Sequence, residues 1–309
     1  MAVLSPFPAR VSTPPAALAG VRGDPARPGQ PGLVGGHAAV TLAGMKWMRL
    51  WGPGGLAAVV LLVALSGCAT EPVTGRKQLI LLTPAEEMQL GLSEFEKLKK
   101  EVPRSQDAAA QALVERVGRR IAAVADLPGA QWEFVLFESP EPNAFCLPGG
   151  KVGVYTGILP ITRDEAGLAT VIGHEVAHAA ARHGAERISR GMALNVLGNV
   201  AGSYLGRERP DLQPYFSTAY GLGAQLGLVL PHSREQEARA DQIGLIYMAR
   251  AGYPPEAAVE FWQRFAEYNR RQGGRQTPWF LRTHPLDEDR IANLRKYLPQ
   301  ARQEFRPAS

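Results

Sequence analysis

The sequence predicts an α+β domain that is mostly helical, with a small β-sheet beside one apolar helix. Most apolar residues after position 82 recur at helical spacing, whereas two short segments near the middle of the chain are rich in aromatic and branched residues. Capping residues precede several helical runs, and turn-forming residues separate the two short segments. The strands are too few for a large sheet, so helices are expected to supply most of the core.

The composition is that of an ordinary globular protein. Of the 309 residues, 45% are hydrophobic and 20% are charged, which excludes a wholly disordered chain. The net charge is +5, but residues 1–67 hold five Lys or Arg against one acidic residue, which leaves 29 basic against 28 acidic residues elsewhere. So small an excess predicts no nucleic-acid partner. Two cysteines, Cys68 and Cys146, cannot form a disulfide framework.

The amino-terminal segment is predicted to lie outside the folded domain. Residues 1–44 contain seven Gly and seven Pro without sustained apolar periodicity, which favours a disordered extension. Residues 45–67 have the pattern of a signal peptide, because Lys46 and Arg49 give a basic start and an apolar run follows from Leu56 to Leu65. The alternative is a transmembrane anchor, which needs about 20 apolar residues, twice the length of this run.

A cysteine directly after the apolar run predicts a lipid anchor. Leu65-Ser66-Gly67-Cys68 resembles the lipobox of bacterial lipoproteins, in which the cysteine becomes the first residue and carries the lipid. Several acyl chains hold a protein firmly on a bilayer, so we expect membrane attachment through Cys68, with residues 68–82 as a lipidated amino terminus and linker. Ala69 resembles the signal for export to the outer membrane. The expected location is therefore the periplasmic face of a bacterial outer membrane.

Two helices and two strands are predicted next along the chain. The helices are expected from Thr83 to about Glu101 and after Ser105. The strands are Trp132–Glu138 and Lys151–Thr156, and the stretch Ser139–Gly150 between them is rich in turn-forming residues.

The rest of the chain is predicted to be helical, with one apolar insertion. Thr162 and Glu165 have the spacing of a capping box and are expected to open the apolar helix. Residues 190–230 are rich in Gly, Ala, Leu and Val and are interpreted as a mobile apolar hairpin or lid, or as a segment packed on the body. The remaining helices are predicted at Ser233–Ala251, Pro254–Arg271 and Pro285–Leu298, with residues 299–309 as a tail.

The apolar helix contains the motif His174-Glu175-Val176-Ala177-His178. Positions i and i+4 lie on one face of a helix, so both imidazoles can reach one tetrahedral zinc ion while Glu175 points toward its open side. The alternative is a pair of helical histidines without a metal. A catalytic zinc also needs a third protein ligand and an open coordination position.

Candidates for the third ligand lie near one possible partner helix: His183, His232, Glu235, Glu237 and Asp241. The ring of His183 is expected to point partly away from the ligand face. Glu237 and Asp241 share one face of the helix that Ser233 caps, which allows one carboxylate to bind the metal and the other to orient a histidine. We therefore predict Glu237 as the third ligand and Asp241 as the residue behind it.

The complete set of motifs resembles a known family. His174-Glu175-x-x-His178 followed by Glu237-Ala-Arg-Ala-Asp241 is similar to the gluzincin zinc metallopeptidases of the CAAX prenyl endopeptidase and HtpX type. With the lipobox, the chain looks most like their small periplasmic lipoprotein (LoiP-like) members. The resemblance implies a zincin-like fold and a zinc metallopeptidase domain over residues 83–298. Supporting matches are Asn143-Ala144-Phe145, Pro148-Gly149-Gly150 and Thr283-His284-Pro285 with Arg290.

The resemblance also implies a mechanism. One Zn²⁺ per chain would activate a water molecule, and Glu175 would act as general base in peptide-bond hydrolysis. His284 would donate a hydrogen bond to the oxyanion with Arg290 assisting it, although Thr-His-Pro can also merely cap the last helix. By the same resemblance, the stretch with Asn143 and Gly150 looks like the family's substrate-aligning edge strand. An extended substrate would pair with the backbone from Gly150 to Tyr155, which includes Lys151, Val152, Gly153 and Val154.

Strand pairing requires an unfolded or flexible substrate, so the expected function is an endopeptidase that cleaves unfolded or misassembled cell-envelope proteins. The alternative is an envelope chaperone or assembly factor with latent or weak proteolysis, which would act with the outer-membrane assembly machinery. A third possibility is a purely structural lipoprotein. Substitution of Glu175 separates these readings, because only the first requires a general base.

Overall fold

Residues 68–71, 73–193, 233–272, 278–286 and 288–307 are described by the computed structural model. The predicted extension and signal peptide, and almost all of the predicted apolar lid, lie outside these residues. All described residues belong to one compact unit. Among them, no helix combines the length and apolar character needed to cross a bilayer.

The described chain begins with a β-hairpin. Strands β1 (Cys68–Thr70) and β2 (Lys77–Leu79) pair antiparallel, with Cys68 opposite Leu79. Glu71 closes the loop, since its amide donates to Arg76 O and its carbonyl accepts from Gly75 N, where φ is 69°. The prediction of a linker over residues 68–82 is therefore wrong: this segment is folded, and Gln78 and Ile80 are buried.

The first two helices lie where the sequence predicts them, from Thr83 to about Glu101 and after Ser105. Helix α1 (Pro84–Glu101) begins after Thr83, which forms a complete capping box with Glu86. Helix α2 (Ala108–Ala122) begins after Asp107, whose carboxylate accepts a hydrogen bond from Ala110 N. The buried face of α2 consists of Val114, Val117, Gly118 and Ile121, which is the apolar period that the sequence shows.

The sheet has three strands rather than the predicted two. Strand β5 (Lys151–Tyr155) lies in the centre, parallel to β3 (Glu133–Phe137) and antiparallel to β4 (Ala144–Leu147). Strand β4 lies within the stretch that is rich in turn-forming residues, where only the family resemblance indicated an edge strand. Its four residues are too short a run to stand out from the prolines and glycines beside it.

The apolar helix begins differently from the prediction. Thr162 ends the short helix α3 (Leu159–Thr162), and its hydroxyl donates back to Leu159 O. Helix α4 (Glu165–Ala180) is capped instead by Asp164, which accepts a hydrogen bond from Gly167 N at 2.8 Å. The Thr162–Glu165 capping box is therefore wrong, because the positive φ of Arg163 separates the two helices.

Two of the carboxyl-terminal helices pack against α4, and the last helix packs against those two. Helix α5 (Arg234–Arg250) starts after a complete Ser233–Gln236 capping box, and α6 (Glu256–Arg271) follows Pro255, both as predicted. The last helix continues through Pro299, so the predicted tail from residue 299 is partly helical, because Leu298 and Ala301 are buried against the body. The helices are α5 (Arg234–Arg250), α6 (Glu256–Arg271), α7 (Trp279–Thr283) and α8 (Glu288–Gln303).

Helix α4 is the centre of the domain. From Gly167 to Ala180 all of its residues are buried. Strand β4 and α2 pack against α4, as do α5 and α6. The predicted fold class, a mostly helical zincin-like α+β domain with a small sheet beside the histidine-bearing helix, is confirmed.

Candidate metal centre

Helix α4 presents both motif histidines to one point. His174 and His178 are 2% and 5% exposed, and their Nε2 atoms lie 3.1 Å apart. Each histidine is one helical turn from the other, so their rings project from the same face. Two imidazole nitrogens that face each other at this distance can bind one cation between them.

Glu237 completes this arrangement from α5, as predicted. Its Oε1 lies 3.2 Å from His178 Nε2, and its Oε2 lies 3.4 Å from His174 Nε2. A metal with bonds of about 2.0–2.2 Å in tetrahedral geometry separates its ligands by about 3.3–3.5 Å. The three side chains therefore fit a metal ion. The structure does not bring Glu235 into the site, because its side chain is 62% exposed and pairs with Arg76.

Two glycines let the ligand-bearing helices approach closely. A Cβ atom on Gly244 would lie 3.1 Å from His174 N, and one on Gly173 would lie 3.2 Å from Gly244 O. Larger side chains at this crossing would push α5 away from α4. The Gly173–Gly244 contact therefore sets the distance between Glu237 and the two histidines.

His284 lies closer to the metal position than its predicted role required. Its Nδ1 is 3.2 Å from His174 Nε2 and 3.0 Å from Glu237 Oε1, and its Nε2 is 3.3 Å from Glu175 Oε1. With His174, His178 and Glu237 it forms a group whose potential ligand atoms all lie within 4.8 Å of one another. The geometry is compatible with a fourth ligand as well as with the predicted oxyanion donor, which stays a prediction.

Asp241 and Arg290 lie behind the ligands. Asp241 Oδ1 is 2.9 Å from His174 Nδ1, as expected for a carboxylate that orients a metal-binding histidine. Arg290 is buried against the ring of Trp262, donates to Asp241 Oδ1 at 2.8 Å and pairs with Glu237 Oε2 at 2.8 Å. Its guanidinium therefore holds two carboxylates behind the site, and the role predicted for Arg290 in assisting His284 stays a prediction.

The electrostatics of the two site glutamates differ. Burial would raise the pKa of Glu237, but His284 and Arg290 hold the pKa well below its ordinary value. Glu237 is therefore ionised, as a metal ligand must be. Burial raises the pKa of Glu175, with His284 and His174 opposing the shift. A carboxylate with a raised pKa is a stronger base, which suits proton abstraction.

A cleft of about 660 Å³ opens over the motif. Strand β4 forms one wall, since Ala144, Phe145, Cys146 and Leu147 all line it, and Glu175, His178 and His284 lie at its base. Burial raises the pKa of Cys146, and Glu175 adds to this shift, so the thiol behaves as an apolar group rather than as a nucleophile.

The predicted substrate strand needs correction. Lys151, Val152, Gly153 and Val154 lie in β5, whose edges are already bonded to β3 and β4. A central strand has no free backbone groups for a substrate, and Gly150 directly precedes it. Of the predicted substrate residues only Asn143 lines the cleft, next to β4. Among the described strands, β4 is bonded on one side only and borders the cleft.

His183 lies beside the site without joining the ligand group. Its Nδ1 is 2.8 Å from His178 Nδ1, on the side of that ring opposite the metal position. Burial lowers the pKa of His183, although Glu71 opposes this, so the neutral ring is favoured. The sequence analysis did not single out Glu71 or Glu186, two buried carboxylates nearby, because nothing local distinguishes them from surface acids.

Several curated relatives are similar to the chain. The mitochondrial metalloendopeptidase OMA1 of Schizosaccharomyces pombe is 40% identical over 188 residues, which are 61% of this chain and 53% of the relative. The human metalloendopeptidase OMA1, mitochondrial, is 29% identical over 265 residues, 83% of this chain and 51% of the relative. The beta-barrel assembly-enhancing protease of Escherichia coli is 27% identical over 236 residues, 75% of this chain and 48% of the relative. The chain spans about half the length of these relatives.

These relatives correct the predicted location. The OMA1 proteins of Schizosaccharomyces pombe, Saccharomyces cerevisiae and humans are named mitochondrial. The prediction of the periplasmic face of a bacterial outer membrane is therefore wrong. It depended on Ala69 and a short processing signal, and so short a signal cannot determine in which membrane the folded domain works.

The enzyme class is confirmed at the level of the family. The relatives are metalloendopeptidases and proteases by name. The model of Peptidase family M48 matches residues 108–298, which include every residue of the potential ligand group and Glu175. This chain therefore belongs to Peptidase family M48.

Proposed function

We propose that the chain is a zinc-dependent endopeptidase that cleaves unfolded or misassembled proteins. The observation that carries the proposal is the set of distances among His174, His178 and Glu237, which match tetrahedral coordination, with Glu175 beside them. Two imidazoles and one carboxylate are the donor set that catalytic zinc takes in peptidases. One zinc ion per chain would activate water and polarise the carbonyl of the scissile bond.

The side chains around this position have separate tasks. Glu175, with its raised pKa, takes a proton from the attacking water and delivers it to the leaving amine. Asp241 holds the ring of His174, and Arg290 holds Asp241 and Glu237. His284 is within reach of both Glu175 and the ligands, so it can donate a hydrogen bond where negative charge develops.

The cleft supports an extended substrate. Strand β4 lies along one wall with a free edge among the described strands, and a peptide that pairs with this edge would pass over Glu175. Main-chain pairing requires a segment without its own secondary structure. Unfolded or misassembled proteins provide such segments, and folded domains do not.

The proposal predicts cleavage that depends on both zinc and an unfolded substrate. The purified full chain is incubated with a protein that is kept unfolded and with the same protein folded. We expect fragments from the unfolded form only, loss of cleavage with a chelator, and recovery with one equivalent of zinc. Equal cleavage of the folded form contradicts the proposed preference for unfolded substrates. Cleavage that survives chelation contradicts the proposed dependence on zinc.

A second candidate function is an assembly factor with latent or weak proteolysis. The observation that favours it is the position of His284, whose Nδ1 lies within ligand distance of the metal-binding atoms. A fourth side chain at the metal would close the coordination position that water needs. Binding of unfolded protein with bound zinc and without cleavage would favour this candidate.

We further propose that Cys68 carries a lipid and attaches the chain to a membrane, as in the small lipoprotein members that it resembles. When the full chain is made in bacteria with a labelled fatty acid, we expect label on the wild type, none on Cys68→Ser and unchanged label on Cys146→Ser. The second variant removes the other cysteine and controls for non-specific acylation. Label that persists in Cys68→Ser contradicts lipidation at this residue.

A further inference from the structure

The two metal-binding histidines are supported from behind by different groups. The ring nitrogen of His174 that faces away from the metal position contacts the Asp241 carboxylate directly at 2.9 Å. The corresponding nitrogen of His178, Nδ1, contacts a second histidine instead, since His183 Nδ1 lies 2.8 Å away. His183 in turn has its Nε2 3.0 Å from Glu71 Oε1. The support of His178 therefore extends to the amino-terminal hairpin.

The chemistry of these groups gives the chain of contacts one direction. A histidine that binds a metal through Nε2 carries its proton on Nδ1, so His178 donates to His183 Nδ1. His183 then carries its own proton on Nε2. The Glu71 carboxylate can only accept, and it accepts the hydrogen bond that this N–H donates. In this arrangement each contact pairs one hydrogen-bond donor with one acceptor.

The structure fixes Glu71 firmly in this position. The side chains of Glu71 and His183 are 0% exposed. Thr74 Oγ1 donates to Glu71, and Arg239 on α5 pairs with it at 3.2 Å. A buried carboxylate with two hydrogen-bond donors, Thr74 and His183, and one ion-pair partner keeps one orientation, because each alternative rotamer breaks these contacts.

The hairpin is attached to the helical segment around the site by further bonds. Gln78 Nε2 donates to Ala181 O at 2.6 Å, directly after α4, and Leu81 N donates to Ser189 Oγ at 2.8 Å. These contacts join β2 and Leu81, two residues after it, to the segment that carries His183. Residues 68–71 and 73–82 therefore act as a support for the back of the metal-binding helix.

We propose that Glu71 and His183 are positioning residues of the metal centre, which fix the ring of His178 through a Glu71–His183–His178 relay. The inference rests on the metal centre proposed above. The relay makes the amino-terminal hairpin a functional part of the peptidase, although the hairpin lies before the family match that begins at residue 108. Loss of either residue frees the His178 ring and weakens zinc binding.

The test measures zinc affinity of the full chain by competition with a chromophoric chelator. We expect Glu71→Ala and His183→Phe to weaken zinc binding by about 10- to 100-fold each, as loss of a group behind a ligand does. The double variant should lose no more zinc affinity than the single variant with the larger loss, because both residues act in series on the His178 ring. Glu71→Gln keeps an acceptor oxygen and should restore most of the affinity.

Glu186→Ala is the matched control. Glu186 is 1% exposed and contacts the same Arg239 at 3.4 Å, but its carboxylate accepts from Gln236 and Arg190 rather than from the His183 ring. Its loss should lower thermal stability and leave zinc affinity unchanged. If Glu186→Ala weakens zinc binding as much as Glu71→Ala does, the proposed relay is wrong. It is also wrong if Glu71→Ala folds and binds zinc as tightly as the wild type.

A second measurement needs no substitution. Long-range ¹⁵N–¹H spectra of the histidines in the zinc-loaded wild type report which ring nitrogen holds each proton. We expect His183 to be neutral with its proton on Nε2, and His178 to carry its proton on Nδ1. A proton on His183 Nδ1 overturns the relay even if the variants do not fold. A wild type that binds no zinc instead contradicts the metal centre itself.

Discussion

Substitution of Glu175 by glutamine is expected to reduce cleavage of an unfolded protein by about 10²- to 10⁴-fold while zinc stays bound. Glutamine has the same shape as glutamate but cannot accept the proton of the attacking water. Glu175 does not belong to the group that can hold the metal, so its loss leaves the ligands in place. Cleavage and zinc content are measured in the same samples of wild type and variant.

Glu165→Gln is the control for this substitution. Glu165 lies at the start of the same helix, and its carboxylate pairs with Arg116 rather than with any site residue. We expect this variant to keep full activity. If Glu175→Gln cleaves at the wild-type rate, the general base is another group. If zinc is lost together with activity, Glu175 supports the metal instead.

Substitution of Glu237 by alanine is expected to weaken zinc binding by more than about 100-fold. Removal of a group that only orients a ligand already lowers metal affinity by about 10- to 100-fold, and loss of a ligand itself should lower it further. Asp241→Ala removes only the carboxylate that orients His174, so its loss of zinc affinity should stay between about 10- and 100-fold. The measurement is zinc content after dialysis, followed by chelator competition. Stoichiometric zinc in dialysed Glu237→Ala contradicts the ligand assignment.

Folding must be controlled in this experiment. Glu237 pairs with the buried Arg290, and removal of one partner of a buried ion pair costs about 3–5 kcal/mol of unfolding free energy. Glu237→Gln keeps an acceptor oxygen for Arg290 and gives a folded variant to compare. Glu235→Ala, two residues earlier and exposed on the same helix, should retain all zinc. Loss of zinc from both Glu235→Ala and Glu237→Ala would indicate damage to α5 rather than loss of a ligand.

Local sequence was sufficient for much of the domain. Thr83, Ser233 and the prolines before α6 mark helix starts through contacts within three or four residues, so the sequence alone places them. The same holds for the spacing of His174 with His178 and of Glu237 with Asp241, since one helical turn puts each pair on one face. The residues that could hold a metal on these two helices were predictable for this reason.

Other features depended on contacts that no local pattern reveals. Strand β4 is short, and only its pairing with β5 makes it a strand and leaves β5 without a free edge. His284 lies 110 positions from His174 in the chain but within 3.2 Å of it in the fold. Helix α8 continues past Pro299 because its buried residues continue to pack.

The sequence by itself determined which residues can bind a metal, which glutamate can act as base and which helices carry them, because helical periodicity sets these relations over a few residues. Only the tertiary structure decided which groups lie behind the site and which strand edge borders the cleft. Glu71 and His183 are 112 positions apart in sequence, and their contact exists because the hairpin folds against the end of α4. Burial gives that carboxylate its role, and burial is a property of the whole fold.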